Sequence, residues 1–312
     1  MKIGVDIMGG DFAPEFTLQG AVMARKQLPE GIKLVLVGPC EKINSFLLEN
    51  GENITNYEVV DAPDVIEMGD HPSKAFAQKP KSSIAVGFDL LNKGLIDGFA
   101  SAGNTGAVLV GTMYTIKSIL GVIRPCIAAT VPRKDGSNLI LADVGINPDC
   151  KPDVLYQYAI LASKYAEHLY GVKNPRVGLL NVGSEPEKGN LLAKATFDLM
   201  KETSHFNFIG NIEGNDLLNS DKADVAICDG FVGNILLKQA EGFYQMLKES
   251  NLATDYIERF NFENYGGLPI LGVNKTVIIG HGASTSKAVM NMILLTYNVE
   301  NSKLIYKLKE IF

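Results

Sequence analysis

The chain has 312 residues, a formal charge of −6, 46% hydrophobic and 21% charged residues, and 31 glycines. That balance excludes disordered and fibrous chains, and the acidic charge argues against a nucleic-acid binder, which needs a basic surface. The length predicts a single domain over residues 1–312, built either as one large α/β unit or as two lobes around a central cleft.

Cys40, Cys126, Cys150 and Cys228 stand singly with no CxxC pair. Such spacing fits buried thiols in a reducing compartment and gives no zinc site or disulfide framework. The opening Met1-Lys2-Ile3-Gly4-Val5-Asp6 reads directly as a strand, without the apolar core and cleavage site of a signal peptide. The longest apolar stretch, residues 108–123, is broken by Lys117 and carries Thr and Ser, so a buried helix is expected there and not a membrane span.

In chain order, residues 2–7 are a strand ending in Met8-Gly9-Gly10-Asp11, and Pro14-Glu15 opens a helix to about residue 28. A strand over 32–37 is closed by Gly38-Pro39, a helix over 41–50 ends at Gly51, and 57–61 is a third strand. A polar segment, 62–78, precedes a helix that Ser82-Ser83 caps and that runs to residue 92. Residues 96–100 then read as a strand and 108–120 as a helix, with Ser101-Ala102-Gly103-Asn104-Thr105-Gly106-Ala107 between them. Four further strand–turn–helix units follow. Their strands are 139–142, 177–180, 225–228 and 277–279, and their helices 152–169, 189–203, 235–248 and 285–299. Apolar strands alternating with helices predict a three-layer α/β/α fold with a mostly parallel sheet.

In such sheets the loops after the strands gather at the carboxyl edge, where ligands bind. The loop at 101–107 presents glycines and backbone amides ahead of a helix, a seat for an anion such as phosphate, and equally a tight connection. Asn104, Asn147, Asn181 and Asn234 recur beside glycine in four of these turns. Asn offers a donor and an acceptor without charge, and it is also an ordinary turn residue. Four equivalent positions favour a shared polar crevice. No GxxxxGK[ST], GxGxxG after the first strand, GxSxG or HExxH motif is present. Of the four histidines, His281 stands between two glycines after an apolar strand and is the one to follow. His71 lies in a loop, and His168 and His205 read as surface residues.

VDIMGGDFAPE at the start, SAGNTGA at 101, ADVGINPDCKP at 142, VGLLNVGSEPEKGN at 177, GNIEGND at 210, DVAICDGFVGNILLKQAEG at 224, YGGLPILGV at 265 and HGAS at 281 occur in one order. Together they resemble the phosphate acyltransferase of bacterial phospholipid synthesis. The resemblance implies a fold similar to phosphotransacetylases and isocitrate dehydrogenases. It also implies transfer of a fatty acyl group from acyl carrier protein to inorganic phosphate, with no cofactor or metal. The implied product is an acyl phosphate for a membrane glycerol-3-phosphate acyltransferase. A cytoplasmic homodimer, peripheral at the inner face of the cell membrane, is implied as well.

The chemistry asks for little beyond positioning. Phosphate is already an anionic nucleophile, a thiolate is a good leaving group, and the tetrahedral oxyanion needs hydrogen-bond donors. Gly103, Asn104, Thr105 and Gly106 are expected to bind phosphate or the oxyanion. Asn147, Asn181, Asp229 and Asn234 are expected to line the same crevice, with Lys188 as a counter-charge to phosphate. His281 and Ser284 are candidates for protonating the leaving thiolate or orienting phosphate. An acidic carrier protein needs a local basic patch, for which Lys74, Lys79 and Lys81, or Arg124, Arg133 and Lys134, are candidates.

Two departures from the family stand out. The amphipathic insert before Tyr265 shrinks to residues 250–264, too charged over 254–260 to enter a membrane deeply, which leaves Ile257, Phe260 and Phe262 across a dimer. Ile146 stands where the family tends to have Ala. Tyr156, Tyr158, Ile160, Leu161 and Tyr165 fit a dimer interface or a wholly buried helix. A coenzyme A-dependent phosphotransacetylase, a metal- and nicotinamide-dependent decarboxylating dehydrogenase and a non-catalytic carrier-protein scaffold are the rival readings.

Overall fold

The structure is a computed structural model that describes residues 1–219 and 221–312. Strand β1 (Lys2–Asp6) is followed by α1 (Glu15–Gln27), β2 (Lys33–Gly38), α2 (Cys40–Glu49), β3 (Tyr57–Asp61), α3 (Pro72–Gln78), α4 (Ser83–Asn92), β4 (Gly98–Ser101) and α5 (Thr105–Gly111). Next come β5 (Cys126–Pro132), β6 (Asn138–Ala142), α6 (Pro152–Tyr170), β7 (Arg176–Leu180), α7 (Leu191–Met200), β8 (Asn207–Ile212), β9 (Val225–Ile227) and α8 (Gly230–Glu249). The last elements are α9 (Asp255–Glu258), β10 (Gly267–Leu271), β11 (Thr276–Gly280), α10 (Ser286–Asn301) and α11 (Leu304–Ile311).

Contacts divide the chain into two compact units. The first comprises residues 1–117, 262–269 and 273–301, and the second 118–261, 270–272 and 302–312. In the first unit β3, β2, β1, β4 and β11 lie side by side, all parallel, and the start of β10 runs antiparallel to β11. In the second, the end of β10 pairs antiparallel with β5 and β5 with β6, after which β6, β9, β7 and β8 follow in parallel. The fold is therefore α/β with mostly parallel strands. Ile3, Val5, Leu34, Leu36, Phe99 and Ile278 in the first unit, and Leu139, Val177 and Val225 in the second, are fully buried, as strands covered on both faces require.

Local chemistry sets the ends of the elements. The Ser82 hydroxyl caps α4 by accepting from the Ala85 amide, and Gly171, at φ 68°, closes α6 in the left-handed conformation. In the first unit α1 lies against α10 closely enough that a Cβ at Gly20 would come within 2.6 Å of the Val289 Cβ.

Several expectations need correction. The apolar stretch from 108 is not one buried helix. It begins as α5 at Thr105, widens to a π turn at Thr112–Ile116 and stops at Lys117, whose φ is +65°. Beyond that stop, Leu120 is 91% exposed. Helix α8 starts five residues earlier than expected, so Asn234 lies on its first turns and not in a loop. The polar segment holds α3, and β5, β8, β10, α9 and α11 went unread. The tyrosine-rich face of α6 is core: Tyr158, Ile160, Leu161 and Tyr165 are buried within the chain itself, and Tyr156 bonds Thr203 and His205. That face is closed to a second copy. Arg133 is also buried, facing Asp224, and Lys79 pairs with Asp70 at 2.6 Å, so neither belongs to an exposed basic patch. The segment before Tyr265 clamps the β5–β6 turn: the Tyr256 hydroxyl donates to the Pro132 carbonyl, and Arg259 donates to the Arg133, Gly136 and Ser137 carbonyls. Among the described residues no helix is long and apolar enough to cross a membrane.

Candidate functional site

Six of the predicted site residues fall in the first unit: Gly103, Asn104, Thr105, Gly106, His281 and Ser284. They follow β4 and β11, adjacent parallel strands beside β1, so the loops after all three strands share one carboxyl edge. The loops touch. The Asp11 amide donates to the Gly282 carbonyl at 2.8 Å, and a Cβ on Gly9 would lie 2.6 Å from the Gly103 nitrogen. Only glycine allows that approach.

Asn104 caps α5, its Oδ1 accepting from the Ala107 amide at 3.0 Å. Its Nδ2 faces the carbonyls of Glu67, Met68 and Asp70 at 3.0, 3.1 and 3.1 Å. The side chain is 5% exposed, and its hydrogen-bonding capacity goes to holding the 67–70 loop. Gly106 has a packing reason as well, since a Cβ there would overlap the Pro72 ring of α3. Thr105 is exposed at the start of the helix. Helix α5 is two turns long before it widens, so its dipole adds less to an anion seat than a long helix would.

His281 stacks on Phe262 at 4.7 Å between ring centres, and its Nδ1 accepts from the Ala283 amide at 3.1 Å. That bond puts the proton of the neutral ring on Nε2. In this form the ring carries one N–H, on Nε2. Ser284, buried, donates its hydroxyl to the His281 carbonyl and closes the turn.

The other five, Asn147, Asn181, Lys188, Asp229 and Asn234, fall in the second unit. They follow β6, β7 and β9, again adjacent and parallel. Asp143, fully buried, organises the loop after β6. Its carboxylate accepts from the amides of Ile127 (2.9 Å), Gly145 (3.3 Å), Ile146 (3.2 Å) and Asn147 (2.8 Å). Burial still leaves its pKa above the ordinary carboxylate value, because desolvation outweighs those bonds. Asn147 donates its side-chain amide to the Pro125 carbonyl at 2.8 Å, and its own carbonyl accepts from the Gly230 amide at 2.8 Å. Asp229 caps α8 through the Val232 amide, and Asn234 is exposed beside Gly145. Asn181 ties its own loop by donating to the Lys188 carbonyl at 3.1 Å, while the Lys188 side chain is exposed. The residues that present polar atoms outward are thus Thr105 in the first unit and Lys188 and Asn234 in the second.

Sequence reasoning missed Asp6 and Asp143, the two buried carboxylates that bind these loops together, and missed the 67–70 loop. The available signal was an Asp placed directly at the end of an apolar strand. Among the described residues no three of His, Cys, Asp and Glu are grouped to hold a metal ion.

A family model described as "Fatty acid synthesis protein" matches residues 1–307. Phosphate acyltransferase from Desulfitobacterium hafniense (strain DSM 10664 / DCB-2) is 40% identical over 329 residues, covering 99% of this chain and 97% of that protein. The chain belongs to the phosphate acyltransferase family. The proteins so named from Dictyoglomus turgidum (41% over 310 residues, 93% and 91% covered) and Salinibacter ruber (40% over 331 residues, 100% and 97% covered) agree. These relatives are named as acyltransferase enzymes, and the chain is an enzyme of that class. Solved phosphotransacetylases share the fold. Those from Streptococcus pyogenes (TM-score 0.66) and Staphylococcus aureus (0.65) are each 16% identical and cover 96% of this chain and 94% of theirs.

Proposed function

We propose that the chain transfers a fatty acyl group from acyl carrier protein to inorganic phosphate, giving an acyl phosphate for phosphatidic acid synthesis. A phosphate oxygen attacks the thioester carbonyl carbon, the C–S bond of the tetrahedral intermediate breaks, and the phosphate proton passes to the departing thiolate. The observation that carries the reading is the set of close-packed turns at one carboxyl edge. In the first unit the glycine turns after β1, β4 and β11 meet at one carboxyl edge beside the His281 turn, so backbone donors and positioning supply the rate without a protein nucleophile.

In the first unit, His281 and Thr105 are assigned to contact substrate, with Gly103, Gly106 and Ser284 shaping the loops around them. In the second, Lys188 and Asn234 are the exposed candidates for binding an anion, Asp229 caps its helix, and Asn147 and Asn181 hold their loops. The neutral His281 ring serves better as a hydrogen-bond donor than as the acid for the thiolate, because giving up Nε2–H would leave an imidazolate. An acidic carrier would meet the exposed cations Lys74 and Lys81, or Arg124 and Lys134. We also infer action in the cytoplasm as a homodimer, handing its product to a membrane glycerol-3-phosphate acyltransferase.

The test is incubation with long-chain acyl carrier protein, long-chain acyl coenzyme A or acetyl coenzyme A plus phosphate, with hydroxylamine trapping of acyl phosphate. Product from the carrier substrate is expected. Product from acetyl coenzyme A alone would move the assignment to a phosphotransacetylase. No product from any donor would favour a binding scaffold.

A further inference from the structure

Asp6, the last residue of β1, is fully buried. Nothing in the chemistry above uses it, and a carboxylate is costly to bury unless donors gather round it. Here they come from both neighbouring loops and from the Ser83 side chain at the start of α4. The Met8 amide donates to Oδ1 at 3.0 Å, and the Ser101 hydroxyl at the end of β4 donates to Oδ2 at 2.6 Å. Ser101 Oγ in turn accepts from the Gly103 amide at 3.1 Å. One carboxylate thereby fixes the turn after β1 and, through a single hydroxyl, the turn after β4. The fit leaves no slack, since a Cβ on Gly9 would sit 2.5 Å from Asp6 Oδ2 and one on Gly103 3.1 Å from it. The Asp11 amide at the far end of the first turn then reaches the Gly282 carbonyl beside His281. All of these residues lie in the first unit.

We propose that Asp6 is a positioning residue for the phosphate-binding loop, acting through Ser101 on Gly103. The proposal rests on the phosphate-dependent reading above. A structural filler at the end of β1 would need only the right volume, whereas this arrangement needs an acceptor with two oxygens. Asparagine keeps the volume and one oxygen but turns the other into a donor. Whichever way that amide sits, either the Ser101 hydroxyl or the Met8 amide meets an NH2 group where it had an oxygen, and one of the two turns beside Gly103 loses its anchor.

The experiment measures phosphate affinity by phosphorus NMR titration of wild type, Asp6→Asn, Ser101→Ala and the double variant, alongside steady-state kinetics and thermal unfolding. Each single variant is expected to weaken phosphate binding at least about fivefold and to raise the KM for phosphate, with the KM for the acyl donor unchanged. Because Asp6 acts through Ser101, the double variant is expected to be no weaker than the worse single one. Loss of folded fraction alone would lower kcat and move neither KM. Unchanged phosphate affinity in folded Asp6→Asn, or losses that multiply in the double variant, would overturn the proposal. If Asp6→Asn does not fold, unchanged affinity in Ser101→Ala overturns it equally. Binding keeps the two readings apart: a wild type that binds phosphate but forms no acyl phosphate from any donor defeats the proposed function, while the variants still judge Asp6. A wild type that binds no phosphate defeats both.

Discussion

Replacing Asn104 by Ala separates a ligand from a scaffold. The side chain makes one cap bond to the Ala107 amide and turns its two amide hydrogens toward three carbonyls of the 67–70 loop. Losing an Asn cap costs about 1 kcal/mol. The amide can make at most two full bonds with its two hydrogens, each worth about 1 kcal/mol net, so the sum is about 3 kcal/mol. At ~2 °C per kcal/mol for a chain of this size, the melting temperature should fall by about 6 °C. Limited proteolysis should cut residues 63–71 faster, because that loop loses its anchor. Asn104→Asp keeps the cap acceptor but sets an oxygen against three carbonyls, so it should release the loop just as fully. A stability within about 0.5 kcal/mol of wild type, unchanged proteolysis and a raised KM for phosphate would refute the scaffold role and return Asn104 to the list of ligands.

Gly233→Ala should cost several-fold more stability than an exposed helix substitution, since its Cβ would overlap the Asp143 carbonyl; chemical denaturation checks this, and a change under about 1 kcal/mol would count against the packing described. Asp224→Asn leaves the buried Arg133 guanidinium without its counter-charge and should destabilise by about 3–5 kcal/mol in urea unfolding. Burial pushes the Asp224 pKa up, but the hydrogen bonds from Arg176 hold it below the ordinary value, so its contribution is present above that value and lost as pH falls through the lowered one. Asp143 carries the opposite sign. Burial raises its pKa, the folded state keeps the proton longer, and the stability of wild type relative to Asp143→Asn should fall as pH rises from the ordinary carboxylate value through the raised one. A difference that rises over that interval would show the cause to be misassigned.

The fold was legible wherever hydrophobic period and punctuation agreed. The strand at 57–61 was read to the residue, and α4 and α6 to within one, because apolar runs met a Ser cap or a Gly stop. The misreadings came where periodicity carries no such mark. Residues 108–123 are mostly apolar, and a lone Lys117 with scattered Thr and Ser is compatible with a continuous helix, so the pattern does not register the π turn or the break at Lys117, which the packing of Gly111 on the Phe88 ring accompanies. Strands β5 and β10 were missed because their pairing with each other joins distant parts of the chain. Cys126 and Ile127 have Leu271 and Ile270 opposite them, 145 and 143 residues away in sequence.

The candidate site was legible as a set of loops but not as a set of roles. Asn recurs in these turns because one amide can satisfy an orphan amide and an orphan carbonyl where two loops meet. Asn104, Asn147 and Asn181 all bind backbone carbonyls, and Asn234 alone of the four is exposed. Frequency in turns therefore marks where loops are tied, not which atom meets substrate. The sharper signal was the carboxylate. Asp6 closes and Asp143 directly follows a largely apolar strand, each is fully buried, and each accepts from amides of the loop that comes next. Burying a charge costs too much to persist as filler, so an Asp at such a strand end points to a loop whose shape is held by design. In this chain those two positions pick out the loops after β1 and β6, and with them, by single bonds, the turns at Gly103 and Gly230.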